Sequence, residues 1–411
     1  MISIRTIIFC ILSWAIHGSL SAQYSGLDLL GGKDKTEVKF EYINGFTIVK
    51  VIYGGILYMD FLLDTGASHN ILFKKNANDL LGISYSDTII IGGADLDGEM
   101  KALVSRNVPI MLEGTSIIQR DIIVLEKDYL DLEKMLGRRI DGIIGGDFLK
   151  GLVVDLNYKH GRLTIHNPDT FKPNRHFSTH DIDLINYKPY LKCATKIEDK
   201  TDTLNYLLDT GASLALLIHS NKIEGFKMPD NVIIGNLGKG LGGDLSGFIG
   251  MTKHLEMDQY QFNNIISSFQ EIDSLILVKR EVVRDGIIGN VILSRFHVII
   301  DYVHEKLYLK PTAKLSKEFV FDKSGLLIYA LGSELDQYYV KAVYPNTPAE
   351  KAGIKPGDKI IKIGFWPLMF YDLQKITKKL HGKDGKKIRM KLLRDGKEIK
   401  VEFKLKNLFK G

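Results

Sequence analysis

Two aspartates sit in the same seven-residue context, LLDTGAS, at Leu62–Ser68 and again at Leu207–Ser213. An apolar run ending in Asp-Thr-Gly holds a carboxylate at the rigid, partly dry end of a strand, and the glycine lets backbone amides approach it. A lone aspartate in such a turn is more often a cap than a catalyst. Two, on related units, can face each other. Asp64 and Asp209 brought together in that way cannot both ionise, because like charges at close range raise one pKa and leave the pair sharing a proton. One carboxylate can then take a proton from a bridging water while the other protonates a carbonyl oxygen. That is amide hydrolysis without a metal and without a covalent intermediate.

The chain provides the related units by duplication. DGIIGGDFL follows the first heptad at Asp141–Leu149, and DGIIGNVIL follows the second at Asp285–Leu293. VVDLNYKHGRLTIHNP from Val153 and VIIDYVHEKLYLKP from Val298 come next. The three landmarks recur in one order, at offsets of 145 (Asp64 to Asp209), 144 (Asp141 to Asp285) and 146 (Asp155 to Asp301). Each unit reads as β-rich. Alternating runs before the first heptad are broken by Asn44-Gly45 and Gly54-Gly55, strong hairpin signals, and those before the second by a polar turn near Asp199 and Lys200. Lobes are therefore expected over 36–170 and 176–311, joined by NPDTFKPNRHFS, with helical periodicity only near Tyr129–Leu136.

On these residues the chain resembles a single-chain, two-lobed aspartic protease of the retropepsin-like and pepsin-like superfamily. The resemblance rests on D-T-G-A-S in each lobe plus the later Ile143-Ile144-Gly145 and Ile287-Ile288-Gly289. It implies that Asp64 and Asp209 are the catalytic pair and that Thr65 and Thr210 lock the two loops through reciprocal hydroxyl-to-backbone bonds. Gly66, Ala67, Gly211 and Ala212 would support the loops, Ser68 and Ser213 would supply nearby hydroxyls, and Ile144, Gly145, Ile288 and Gly289 would form a cradle. Ala67 and Ala212 stand where acid-acting pepsins carry a Ser or Thr donor. Losing that donor raises the pair's pKa values and moves the expected activity optimum to about pH 5–7. Extended peptides in such enzymes lie under a hairpin flap. IIIGGADLDGEM at Ile89–Met100 and GNLGKGLGGDLSGFIG at Gly235–Gly250 are the candidates. The duplicated ATPase fold of actin and the sugar kinases also places Asp-x-Gly loops in two halves, but it needs strong helices and has no counterpart to DGIIG.

Residues 315–408 form a different module. NTPAEKAGIKPGDKIIKIG resembles the PDZ domain of bacterial proteases, with Pro348-Ala349 starting a short helix, Gly353 ending it and Pro356-Gly357-Asp358 turning into a strand. The resemblance implies that amides of Gly325, Leu326 and Leu327 receive a peptide C-terminus beside a helix near Leu373–Leu380. Gly364-Phe365 replaces the usual Asn-Gly.

The 411 residues call for two or three domains. Arg5, the short apolar run IIFCILSWAI and the small residues GSLSA pattern residues 1–22 as a signal peptide, so an exported chain, periplasmic or secreted and without a transmembrane anchor, is expected. Of the two cysteines, Cys10 lies in that segment, leaving Cys193 alone. Neither a disulfide framework nor a metal or cofactor site is expected. Residues 312–411 hold 22 Lys and Arg against 11 Asp and Glu, leaving 33 against 38 elsewhere. Interspersed lysines of this kind read as solubilising charge, and nothing resembles a nucleic-acid groove. The reading is a monomeric exported endopeptidase, mostly β, acting on peptide or protein substrates. A catalytically silent peptide-binding adaptor that uses the cleft and the C-terminal module is the alternative.

Overall fold

A computed structural model describes residues 30–92, 99–126, 128–240, 243–272, 283–365 and 367–409. The expected signal peptide at 1–22 lies outside the described residues. Among the described residues, no helix is long and apolar enough to cross a membrane.

The architecture is mostly β, with two duplicated lobes and a C-terminal α+β module. Alternation decides which face of each strand is buried. In Lys35–Ile43 (KTEVKFEYI), Thr36, Val38 and Phe40 point inward between exposed Lys35, Glu37 and Lys39. Each lobe is a small barrel built around a crossed-strand motif. In lobe one, Leu57–Leu63 runs parallel to Gly142–Ile144, which runs antiparallel to Ile71–Leu72. In lobe two, Lys200–Asp209 runs parallel to Gly286–Gly289, which runs antiparallel to Leu216–His219. The strand of each Gly-Ile-Ile segment therefore threads between the strand that ends in the aspartate and the strand that leaves it. This makes the repeated Asp-Gly-Ile-Ile-Gly more than a turn. Asp141 accepts the Asp60 amide at 3.0 Å and Asp285 accepts the Asn205 amide at 2.9 Å, so each pins the strand that carries its lobe's aspartate.

The two lobes share strands. Val153–Asn157 of lobe one pairs antiparallel with Phe296–Asp301 of lobe two, and the joint sheet extends through Arg162–His166 and Lys35–Ile43 on one side and Lys306–Pro311 and Ser178–Asp181 on the other. Boundaries drawn at 170 and 176 separate the repeats in sequence, but in space the closing strands of each repeat cover the other's edge. The connector ends in that same sheet, as its Ser178 opens the edge strand Ser178–Asp181.

The C-terminal module is a five-stranded sheet with helices Pro348–Lys351 and Leu373–Leu380. It is held to both lobes. The lobe-one helix Leu132–Leu136, within the one stretch of the lobes with helical periodicity, packs on its strand Leu326–Leu331. Its Tyr344 and Phe409 share an apolar cluster with Ile233 and Ile249 of the lobe-two hairpin.

The crossing leaves no room for side chains on the threading strand. A methyl group on Gly286 would strike the Leu217 carbonyl oxygen and the ring of fully buried Tyr206, and one on Gly142 would strike the Ile71 carbonyl oxygen and the Phe61 ring. Overpacking against backbone costs about 1–3 kcal/mol or more. Gly286→Ala is expected to lower the unfolding midpoint in urea accordingly, whereas an unchanged midpoint would show that the crossing can dilate.

Candidate active site

The two aspartates meet at the floor of a cleft between the lobes. Leu57–Leu63 delivers Asp64 and Lys200–Asp209 delivers Asp209, both on strands whose inner faces are fully buried. The Gly66 and Ala67 amides donate to Asp64 Oδ1 at 2.8 and 3.0 Å, and the Gly211 amide donates to Asp209 Oδ1 at 2.7 Å. The Ala212 amide turns instead to the Asp209 carbonyl oxygen at 3.4 Å. Each loop's glycine makes space for the other lobe's carboxylate. A methyl group on Gly66 would lie 2.5 Å from Asp209 Oδ2, and one on Gly211 would collide with Asp64.

Thr65 and Thr210 tie the loops together and are fully buried. The Thr65 hydroxyl donates to the Leu208 carbonyl at 2.6 Å and accepts the Thr210 amide at 3.0 Å. The Thr210 hydroxyl donates to the Leu63 carbonyl at 2.8 Å and accepts the Thr65 amide at 3.1 Å. Ile144, Gly145, Ile288 and Gly289 lie directly behind. The Asp64 amide donates to the Ile144 carbonyl at 2.9 Å, the Gly146 and Asp147 amides donate to the Ala67 and Ser68 carbonyls, and the Asn290 amide donates to the Ala212 carbonyl. A side chain on Gly145 would meet the His69 and Ala67 carbonyl oxygens, and one on Gly289 those of Leu214 and Ala212, so close packing accounts for both glycines.

Ser68 and Ser213 line the cleft, but among the described residues neither hydroxyl bonds a carboxylate. Ser213 is turned toward lobe one, where its Cβ fills the space left by Gly45. The strands of both hairpins reach the cleft, through Ile91 in one and Leu237 and Leu245 in the other. Residues 93–98 and 241–242 of the proposed flaps lie outside the described residues.

Several contributors carry no motif in the sequence. Asn290, the residue after the second Gly-Ile-Ile-Gly, donates to the Thr210 carbonyl at 2.5 Å and accepts the Tyr158 hydroxyl at 2.6 Å, tying the lobe-two loop to the shared sheet. Lys188 and Arg284 line the cleft on the lobe-two side. The Arg284 Nε donates to His219 Nε2 at 3.3 Å, and burial pushes the His219 imidazole down to about 3, so it remains a neutral acceptor.

The electrostatics are lopsided. Burial, then the charge of Asp209, push Asp64 well above the ordinary aspartate range. Burial also raises Asp209, but the Gly211 amide, a hydrogen bond from Asp64, and the charges of Arg284 and Lys188 oppose it. Both carboxyls are thus raised and the pair holds one proton between them, with the Arg284 guanidinium acting on the Asp209 side.

Known proteins match both modules. Residues 49–148 match the family model for an aspartyl protease, and residues 339–394 match that for a PDZ domain. The chain carries an aspartyl protease domain and a PDZ domain. It is 34% identical over 97 residues to the carboxy-terminal processing protease CtpB of Bacillus subtilis, covering 24% of this chain and 20% of that one. It is 32% identical over 97 residues to a probable CtpA-like serine protease of Staphylococcus saprophyticus, covering 23% and 20%. The matches thus span about a fifth of the length of these curated relatives. The crystal structure of an aspartic proteinase from Irpex lacteus aligns with a TM-score of 0.42 at 15% identity, over 69% of this chain and 99% of that one.

In the PDZ domain the loop expected to receive a carboxylate already holds one. Asp322 Oδ1 accepts the amides of Ser324, Gly325 and Leu326 at 2.9, 2.5 and 3.2 Å, together with the Ser324 hydroxyl. Leu327 lies in the strand Leu326–Leu331, and beside it Gly137 of the protease domain sits against Ala330 and Leu373, between that strand and the helix Leu373–Leu380. The amides of Gly325 and Leu326 are therefore engaged within the chain itself in this conformation.

Two measurements follow. Thr65→Val leaves the Leu208 carbonyl and the Thr210 amide unpaired in a buried place, at about 1–3 kcal/mol for each. The variant should melt well below the wild type, and Thr65→Ser should restore most of the loss. Asp64 has a folded-state pKa raised above its unfolded value, so the folded state bears no penalty below about pH 4 and loses stability as pH rises toward the raised value. Asp64→Asn removes that penalty. The variant is expected to gain melting temperature over the wild type at pH 7 but not at pH 4, at about 2–4 °C per kcal/mol relieved, and an equal difference at both pH values would count against the shared proton.

Proposed function

We propose that the protein is an exported aspartic endopeptidase that hydrolyses peptide bonds through a water activated between Asp64 and Asp209. The observation that carries this reading is the pair of facing carboxyls, each held by its own loop's amides and locked to the other by Thr65 and Thr210. Asp209, kept anionic by its cationic neighbours, takes a proton from the water. Asp64 gives its proton to the scissile carbonyl oxygen as the hydroxyl of that water adds to the carbon. Collapse of the resulting diol then returns a proton from the dyad to the leaving amine. A cleft of about 490 Å³ accommodates an extended segment, and hairpin residues Ile91, Leu237 and Leu245 shield it from bulk water. Export rests on the pattern of residues 1–22.

The PDZ domain is assigned a second function, the capture of peptide C-termini from substrates or partners. Asp322 supports this chemically, because its carboxylate already occupies the amides such a terminus would use. A peptide reaching the groove has both Asp322 and the Gly137 turn to displace.

Cleavage of an unstructured protein, inhibited by pepstatin, tests the assignment. Asp64→Asn and Asp209→Asn are each expected to lower kcat/KM by about 1,000-fold or more. Activity requires Asp64 protonated and Asp209 ionised, so it falls at high pH as Asp64 loses its proton and at low pH as Asp209 gains one. With both raised, the profile should peak at about pH 5–7. A peak near pH 2–3, or variants as active as the wild type, would sink the mechanism. A wild-type protein that binds peptides but cleaves none would support the adaptor instead.

A further inference from the structure

The duplication provides an internal reference for the cleft. Two positions carry apolar residues in lobe one and cations in lobe two. In lobe one, Asn44 and Gly45 form a turn with φ of 49° and 88°, and Phe46 follows. In lobe two, Asn186 and Tyr187 form the equivalent turn with φ of 52° and 61°, and Lys188 follows. Ile140 precedes Asp141-Gly-Ile-Ile-Gly, and Arg284 precedes Asp285-Gly-Ile-Ile-Gly. Phe46 and Ile140 belong to the lobe-one apolar cluster, with Phe46 also lining the cleft, whereas their lobe-two counterparts Lys188 and Arg284 bring cations to the same cleft. The duplicated scaffold thus differs in charge at two positions beside the catalytic loops.

We propose that Lys188, flanked by Arg284, forms a carboxylate-binding subsite on the lobe-two side of the cleft, selecting substrates with an acidic group on one side of the scissile bond and a large apolar side chain on the other. The inference rests on the peptidase reading for the identity of the ligand. Among the described residues lining the cleft, the carboxyl groups are those of Asp64 and Asp209, which hold one negative charge between them. Lys188 is half-buried, and its ammonium makes no hydrogen bond or ion pair among the described residues. Burial and the neighbouring guanidinium push its ammonium below the ordinary lysine range despite the opposing pull of the Asp64 and Asp209 carboxyls, so the single charge those two share does not compensate both cations. A desolvated ammonium is costly unless paired, and a bound carboxylate supplies the pair and a charge-assisted hydrogen bond. The opposite wall, with Phe46, Ile91, Ile123 and Leu132, is apolar and suits an aliphatic or aromatic side chain. The carboxylate has two sources, an Asp or Glu side chain within a longer peptide or the C-terminus of the peptide itself.

The test pairs cleavage with binding. Fluorogenic peptides with one large apolar residue are compared with Glu or Gln beside the scissile bond, each as a free acid and as a C-terminal amide. The wild type is expected to favour the carboxylate-bearing peptide by about 10- to 100-fold in kcat/KM. Loss of preference on Glu→Gln identifies the side chain as the source, and loss on amidation identifies the C-terminus. Lys188→Met should bring the ratio near one, and Lys188→Glu should invert it toward a Lys-bearing peptide. Anisotropy with Asp64→Asn protein measures the same preference without turnover. Binding that prefers the carboxylate, with no cleavage by the wild type, retains the subsite and removes the peptidase. Cleavage with equal rates for Glu and Gln peptides removes the subsite and retains the peptidase. A Lys188→Met variant that moves only the acid limb of the pH profile, leaving the substrate ratio intact, overturns the proposal in favour of a lysine that only tunes Asp209.

Discussion

Two carboxyl groups placed face to face in a poorly solvated cleft can hold only one negative charge between them, and the architecture serves to keep them in that arrangement. Left to relax, the loops would separate and each acid would take its own hydration. The Thr65 and Thr210 hydroxyls prevent this by bonding across the lobes to backbone groups. Gly66 and Gly211 leave the space that lets the partners approach. The threading Gly-Ile-Ile strands then brace each loop from behind, and the joint sheet of closing strands keeps the two lobes in register beneath.

Symmetry alone would leave the proton shared evenly. The asymmetry enters through side chains outside the repeated motifs. Arg284 acts on Asp209 and Lys188 on both acids, so an almost repeated pair sits in an unequal field. Asn290 belongs to the same class. Its lobe-one counterpart is Gly146, which packs under Tyr187 and has no side chain to bond with, so only lobe two is tied to Tyr158.

In the protease lobes, what could be read from the sequence was chiefly what repeats. LLDTGAS and DGIIG stood out because they occur twice, and periodicity marked the hairpins at Asn44-Gly45 and Gly54-Gly55 and the helical stretch at Leu132–Leu136. Lys188, His219, Arg284 and Asn290 could not be picked out, because each lies in only one copy and reaches the site only after the strands are folded. Comparing the copies position by position, rather than looking for identity between them, would have exposed Lys188 and Arg284. The sharing of strands between lobes was equally hidden, since alternation shows that a strand has a buried face but not whose edge it covers. The PDZ loop shows a related limit. The residues expected to receive a carboxylate were visible, but Asp322, which accepts their amides, resembled any turn aspartate.

The helix Leu132–Leu136 and the turn at Gly137 belong to two surfaces at once. Leu132 and Met135 face the cleft, while Gly137 abuts Ala330 and Leu373 in the PDZ groove. A ligand that needs the groove vacated must work against the same six residues that complete the cleft wall. By thermodynamic reciprocity, any preference such a ligand has for one position of the segment equals the preference a cleft-bound peptide transmits back to the groove. The segment is thus a shared wall, and neither room can be remodelled without changing the dimensions of the other.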